Sequence, residues 1–108
     1  MKTPLHIRSD HLTIVQHILD KHLPPSTTVW FFGSRVKGNV KKYSDLDLAI
    51  DANGKTLPSD IMIDLAADFE ESDLPFKVDI LDWNTISESF KETIKNDRVL
   101  MTNVKAIS

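Results

Sequence analysis

The residues best suited to chemistry are three aspartates on two hydrophobic segments. Asp45 and Asp47 stand two positions apart in an alternating run over residues 45–51, and Asp79 lies within the apolar segment 78–81. In a β-strand, residues two apart project from the same face, with backbone positions about 6–7 Å apart. Two such carboxylates repel each other unless a cation lies between them, so the pair indicates a divalent-metal site or, alternatively, only a solvated strand face. If the two segments are neighbouring strands, Asp79 joins the pair.

A Gly-Ser turn is the second feature with chemical potential. Gly33-Ser34 directly follows the β-branched and aromatic segment 27–32 and precedes a predicted helical turn. Amides at the start of a helix lack intrahelical acceptors, and glycine allows close backbone approach, so the turn favours an anion site. The Ser34 hydroxyl adds a donor, and Arg35 and Lys37 add positive charge. Alone, a Gly-Ser turn commonly does no more than end a strand.

Charge is distributed unevenly along the chain. Residues 22–44 contain no acidic residue, whereas four cations lie within the eight positions 35–42, directly before the aspartates. Residues 60–73 contain six acidic and no basic residues. The basic segment would suit phosphate, and the acidic segment would suit a basic partner. The alternative for both is a solvated surface.

Length and composition limit the class of protein. The 108 residues carry 13 Lys and Arg against 16 Asp and Glu, a net charge of −3, and 41% hydrophobic residues, which predicts one domain over residues 1–108. The absence of cysteine excludes disulfides, thiolate metal sites and thiol catalysis, and the spacing of the four histidines argues against an imidazole metal site. We expect a cytoplasmic protein without membrane association and without direct nucleic-acid binding.

Hydrophobic periodicity predicts the elements that must position these residues. The predicted strands cover residues 27–32, 45–51, 76–83 and, as a short edge strand, 99–104. The predicted helices cover residues 10–22, capped by Ser9, 58–72, and a last helix ending near Lys95, capped by Thr85 and Glu88. This order predicts an α/β (α+β) domain, a small mixed β-sheet with helices packed on one face.

Two other phosphate- or metal-binding motifs are excluded by spacing. Gly33 and Gly38 have the glycine spacing of a P-loop, but Asn39 and Val40 stand where that loop needs Lys and Ser or Thr. A calcium loop of the EF-hand type beginning at Asp45 would need glycine at position 50, which is isoleucine. Neither motif is present.

The spacing of the Gly-Ser turn and the paired aspartates has a known counterpart. Gly33-Ser34, ten residues, and then Asp45-Leu46-Asp47 resembles the G-S-x10-D-x-D signature of the nucleotidyltransferases of the DNA polymerase β superfamily. With Asp79 on a later strand, the whole chain is similar to the minimal nucleotidyltransferases of that superfamily. This implies their polymerase β palm-like fold. Lys37 stands where the family often has arginine, which keeps the charge but loses bidentate geometry.

The resemblance implies an enzyme, a nucleotidyltransferase that transfers AMP from ATP. The catalytic and metal-binding residues it implies, ligands of two Mg²⁺ ions, are Asp45, Asp47 and Asp79. The nucleotide-binding residues it implies are Gly33, Ser34, Arg35 and Lys37.

The resemblance also implies a protein partner. Minimal members of the family are commonly encoded beside a HEPN-domain ribonuclease toxin and act as its antitoxin by attaching AMP to a tyrosine. A HEPN-domain partner and a hetero-oligomer with it are therefore expected, and the small size of the domain favours a partner that presents the acceptor hydroxyl. The alternative is a non-catalytic binding module that neutralises its partner by contact alone. Nucleotidylation of a small molecule is disfavoured because it would need a second domain.

Overall fold

The computed structural model describes residues 1–107, in which there are six strands and four α-helices. The strands are β1 (Thr3–His6), β2 (Thr28–Phe32), β3 (Leu46–Asp51), β4 (Val78–Asp82), β5 (Val99–Leu100) and β6 (Val104–Ile107). The helices are α1 (Ser9–His22), α2 (Ser34–Lys37), α3 (Ser59–Glu71) and α4 (Glu88–Lys95), with 3₁₀ turns at Trp83–Thr85 and Met101–Asn103. None of the helices in this range is long and apolar enough to cross a membrane.

The strands form two sheets. A four-stranded mixed sheet has the order β4-β3-β2-β5, in which β3 and β4 are parallel and β2 is antiparallel to both of its neighbours. β1 and β6 form a separate parallel pair. The predicted fold class is confirmed. The predicted edge strand over 99–104 is wrong as one element, because β5 pairs with β2 whereas β6 pairs with β1.

Alternation along the central strands gives the four-stranded sheet two different faces. One face packs Phe31 and Leu48 into the main core with Leu65 of α3. On the other face, Ala49 joins Ile94 of α4 in a second cluster. The prediction that helices cover one face is therefore wrong, because α4 packs on the face opposite α3. Asp47 has the parity of Ala49, so its side chain lies on the α4 face.

The helix starts differ from the predicted caps. Ser9 is the first residue of α1, and Arg8 precedes it as the cap without a capping side-chain bond. α4 is capped by Ser87, whose Oγ accepts the Phe90 amide at 3.2 Å. Thr85 instead donates its hydroxyl to the carbonyl of Asp82 in the preceding 3₁₀ turn. The serine nearest the helix therefore provides the cap.

Helices α1 and α3 are joined by an ion pair. His22 Nε2 lies 2.7 Å from Asp68 Oδ2, and Lys21 Nζ lies 3.5 Å from the same oxygen. The hydrogen bond with His22, helped by the charge of Lys21, lowers the pKa of Asp68. The negative charge of Asp68 is therefore paired within the fold, whereas Asp60 and Asp64 of the same acidic helix are exposed.

Candidate active site

The pairing of β3 with β4 brings the predicted carboxylates together. The parallel register sets Asp47 directly opposite Asp79, on strands about 4.8 Å apart. Asp45 immediately precedes β3 and is exposed, and its charge acts on Asp47. The condition stated from sequence, that the two strands must be neighbours, is therefore met.

Asp47 is the most perturbed of these carboxylates. Burial, followed by the charges of Asp79, Asp45 and Asp97, raises its pKa from 3.8 to about 6. Lys77 Nζ lies 3.3 Å from Asp79 Oδ1, but both side chains are largely open to water, so this contact screens the cluster weakly. The remaining repulsion is of the kind that a bound divalent cation relieves.

The residues present fit Mg²⁺ by donor chemistry. Carboxylate oxygens are the hard ligands that Mg²⁺ prefers, and the mutual repulsion around Asp47 favours a cation. Over residues 1–107, however, no three His, Cys, Asp or Glu side chains are grouped closely enough to hold an ion between them. The carboxylate of Asp79 is engaged with Lys77 instead.

Gly33 connects the turn predicted to bind phosphate with the carboxylates. Its φ of 83° lies in the left-handed region that favours glycine, and a Cβ built there would overlap the Asp47 carboxylate. The Gly33 carbonyl accepts the amides of Val36 and Lys37, which closes the single turn of α2. Ser34 and the carboxylate of Asp47 therefore flank the same glycine.

Arg35 is placed apart from the other predicted nucleotide-binding residues. Its guanidinium is buried, donates to the carbonyl of Ser44 from Nε and Nη2 at 3.0 and 2.9 Å, and donates to the carbonyl of His6 from Nη1 at 2.8 Å. It also lies 4.1 Å from the ring centroid of Phe76. The structure thus uses Arg35 to hold the loop before Asp45 against β1, while Lys37 remains exposed.

A cavity of about 590 Å³ lies next to this loop and is distinct from the carboxylate cluster. Its lining includes Arg35, His6, His11 and Tyr43 but none of the three aspartates. By strand alternation, Asp47 and Asp79 lie on the sheet face that carries the Ala49–Ile94 cluster. The predicted carboxylate site is therefore separate from this cavity.

Asp97 adjoins the candidate site and was not identified from the sequence. Its Oδ2 accepts the Gly33 amide at 3.0 Å, and its charge contributes to the raised pKa of Asp47. The bond spans 64 positions, and no local pattern around Asp97 indicates it. Asp82, at the end of β4, is buried and has a structural role: it accepts the amides of Leu57 and Asn84 at 2.7 and 3.1 Å.

Comparison with known proteins defines the class. Residues 14–106 match the family described as Polymerase beta, Nucleotidyltransferase, so the chain belongs to the polymerase β nucleotidyltransferase family. It is 52% identical over 99 residues to the probable protein adenylyltransferase MntA of Haemophilus influenzae, an alignment that covers 90% of this chain and 83% of that protein. The resemblance inferred from the Gly-Ser and Asp-x-Asp spacing is confirmed.

Solved structures show the same fold. The chain superposes on a toxin–antitoxin crystallised with AMP-PNP with a TM-score of 0.69 and 23% identity, over 83% of this chain and 71% of that one. It superposes on a mutant of the MntA–HpeT toxin–antitoxin with a TM-score of 0.67 and 21% identity, over the same shares of the two chains.

Proposed function

We propose that this chain is a Mg²⁺-dependent adenylyltransferase that transfers AMP from ATP to a tyrosine hydroxyl of a HEPN-domain toxin and thereby neutralises the toxin. The observation that carries the proposal is the contact of Gly33 with Asp47, which stands in register with Asp79. It unites the turn suited to phosphate with the carboxylates suited to metal. The name of the Haemophilus influenzae relative supports the reaction. The toxin–antitoxin structures support the partner.

The chain's own residues divide the work of binding. Asp45, Asp47 and Asp79 would hold two Mg²⁺ ions, which when bound supply charge neutralisation for the triphosphate and acidify the acceptor hydroxyl. The amide of Ser34, at the start of α2, and its hydroxyl would donate to phosphate oxygens. Lys37, exposed on the same turn, would add a positive charge.

The reaction that fits this arrangement is an in-line displacement. The acceptor oxygen, having released its proton to solvent, bonds to the α-phosphorus of ATP as the bond to the departing pyrophosphate breaks. Asp45 is exposed and Asp79 is partly exposed, so an acceptor hydroxyl could reach the carboxylates from solvent. Holding both reactants in this geometry accounts for much of the rate enhancement in such reactions.

Neutralisation by contact alone is the second candidate function. One observation favours it: on α3, Asp60, Asp64 and Glu71 are exposed, and Ile63 is 66% exposed among them. An acidic surface with an apolar centre suits a protein whose own RNA-binding surface is positive. This candidate requires no turnover at the carboxylates.

The test is to incubate the purified chain with the protein encoded beside it, ATP and Mg²⁺, and to weigh the intact partner. We expect one or more added AMP groups, mapped by peptide sequencing to tyrosine. The Asp45→Asn variant is the matched control because it removes one charge at an exposed position while preserving the side-chain shape. AMP groups that still appear with Asp45→Asn would contradict the assigned site. A silenced partner of unchanged mass would favour contact-only neutralisation.

A further inference from the structure

We infer that Asp97 is a positioning residue for nucleotidyl transfer, because its carboxylate holds the Gly33 amide and thereby sets the phosphate-binding turn against Asp47. The inference rests on the proposed function, because nucleotidyl transfer is the reaction that Asp97 would serve. Its geometric basis is a set of contacts between the residues that follow α4 and the end of β2.

The hydrogen bond fixes the residue where backbone freedom is greatest. Gly33 has a φ of 83°, which glycine adopts readily but also leaves readily, so the turn needs an external constraint to keep one conformation. Asp97 Oδ2 provides it at 3.0 Å from the Gly33 nitrogen. On its other side the glycine is packed against the Asp47 carboxylate. Gly33 is thus held between two carboxylates, one of which binds its amide.

The backbone around Asp97 is anchored to the second apolar cluster, which contains Ala49, Trp83 and Ile94. The amides of Asp97 and Arg98 both donate to the carbonyl of Ile94, at 3.2 and 2.9 Å, and Ile94 is buried. The Arg98 guanidinium lies 4.3 Å from the ring centroid of Trp30 and 4.9 Å from that of Trp83. A carboxylate anchored in this way can impose its position on a flexible glycine.

The bond also determines which donors remain for a phosphate. With its amide engaged by Asp97, Gly33 contributes only close backbone approach, and the amide and hydroxyl of Ser34 are left as donors on the turn. A carboxylate so near a triphosphate site repels the ligand, so its presence needs a compensating role. Positioning Ser34 supplies that role.

Two substitutions separate the hydrogen bond from the charge. Asp97→Asn keeps an oxygen that can accept the Gly33 amide, whereas Asp97→Ala removes it. The matched control is Asp51→Ala at the other end of β3, which removes a carboxylate that accepts the Gly54 amide at 2.7 Å and the Asn84 side-chain amide at 2.8 Å. Affinity for Mg-ATP is measured by calorimetry without any partner, and exchange of the Gly33 amide proton is measured by NMR in the metal-free protein.

We expect Asp97→Ala to weaken Mg-ATP binding about tenfold or more and to accelerate Gly33 amide exchange. Asp97→Asn should stay within about threefold of the wild type in affinity and retain the protected amide, and Asp51→Ala should bind as the wild type does. Unchanged affinity in Asp97→Ala would overturn the inference. So would an equal loss in both Asp97 variants, because the charge and not the hydrogen bond would then be required.

The two proposals fail in different ways. A wild-type chain that binds Mg-ATP but modifies no partner contradicts adenylyl transfer, while the affinity ratio between the Asp97 variants still decides the role of Asp97. If Asp97→Ala does not fold, the exchange rates of the Gly33 amide in the wild type and in Asp97→Asn decide it, because the inference requires both to be slow. A fast-exchanging amide in the wild type would overturn the inference.

Discussion

At the scale of single residues, Asp47 is where the parts of the site meet. It stands opposite Asp79, is affected by the charge of Asp45 two positions before it, and contacts Gly33 of the turn that we propose to bind phosphate. A change at this one side chain therefore affects both the carboxylate cluster and that turn. We expect its substitution to be the most informative in the chain.

The first prediction concerns catalysis. Asp47→Asn should lower adenylyl transfer by orders of magnitude, because the neutral amide removes a ligand of the metal that neutralises the triphosphate. The measurement is the initial rate of AMP incorporation into the partner. Asp20→Asn, at an exposed position of α1, is the control and should react at the wild-type rate. Comparable rates in the two variants would contradict the assignment of Asp47.

The second prediction concerns stability and pH in the metal-free protein. The folded pKa of Asp47, about 6, is higher than its value of 3.8 without the fold, so folding favours the protonated acid. The loss of folding stability that results from ionising Asp47 is absent below pH 3.8, grows as pH rises, and is complete above about 6. Because the side chain retains contact with water, we expect Asp47→Asn to raise the free energy of unfolding by about 1 kcal/mol at pH 8.

Urea denaturation in EDTA at pH 8 and at pH 4 measures this difference. The variant and the wild type should differ less at pH 4, where Asp47 is largely protonated in the folded protein. Added Mg²⁺ should stabilise the wild type more than Asp47→Asn, since it binds the folded state through this carboxylate. A variant less stable than the wild type at pH 8 would show that Asp47 is not under net repulsion.

The third prediction separates Ser34 from Arg35. Ser34→Ala should weaken Mg-ATP binding by roughly 1.5–3 kcal/mol, the value of a hydrogen bond to a charged oxygen, with little change in the stability of the free protein. Arg35→Lys should instead reduce the free energy of unfolding by about 1–3 kcal/mol, because lysine cannot reproduce the paired bonds to the Ser44 carbonyl.

Calorimetric titration of Mg-ATP and thermal unfolding measure the two effects. A Ser34→Ala variant that binds Mg-ATP with wild-type affinity would mean that the triphosphate lies elsewhere. An Arg35→Lys variant with wild-type stability and weakened nucleotide binding would restore the phosphate-binding role predicted from sequence.

At the scale of elements, the turn between β2 and α2 yields the fourth prediction. Gly33→Ala should abolish detectable transfer, because its Cβ would displace the Asp47 carboxylate. Gly54 is a matched control, with a φ of 82° and no atom within 4 Å of an added Cβ. Gly54→Ala should cost about 1–2 kcal/mol of stability from backbone strain alone and leave the transfer rate unchanged. Equal transfer rates in Gly33→Ala and Gly54→Ala would contradict the contact between Gly33 and Asp47.

The elements of the site were predictable where the signal is local. Alternation around Asp47 identifies β3, the aromatic and β-branched run before Gly33 identifies β2, and the Gly-Ser and Asp-x-Asp spacing identifies the family. Apolar residues that repeat at the 3.6-residue period likewise identify α1 and α3. Each of these patterns arises because a single element buries one face, and the period of its apolar residues shows which face that is.

Other features depend on contacts between distant parts of the chain. β1 has only four residues, one of them Pro4, and is a strand only because β6 lies beside it. Phe90 is 39% exposed although Ile94, one turn further along the same helix, is buried. Arg35 and Asp97 acquire their roles from the carbonyl of His6 and the amide of Gly33. Periodicity carries no information on such pairings.

At the scale of the whole molecule, charge is segregated between the loop before Asp45 and the exposed face of α3. The fifth prediction is that Asp64→Lys slows association with the proposed toxin partner about three- to tenfold at low salt, an effect that weakens as salt screens the charges. Glu92→Lys on α4, an equal charge change at another exposed position, should associate nearly as the wild type does. Stopped-flow or surface-binding kinetics at two salt concentrations measure the association rates. Equal rates for Asp64→Lys and Glu92→Lys would argue against α3 as the docking surface.

The pairing of β1 with β6 governs the order in which the molecule is completed. Thr3 pairs with Val104 and His6 with Ile107, which closes a loop of about a hundred residues and is the kind of contact that forms late in folding. On the ribosome, residues 3–6 emerge early and must wait for 104–107. His6 also supplies the carbonyl that Arg35 uses to hold the segment before Asp45. The segment before Asp45 is therefore among the last parts of a newly made chain to become ordered.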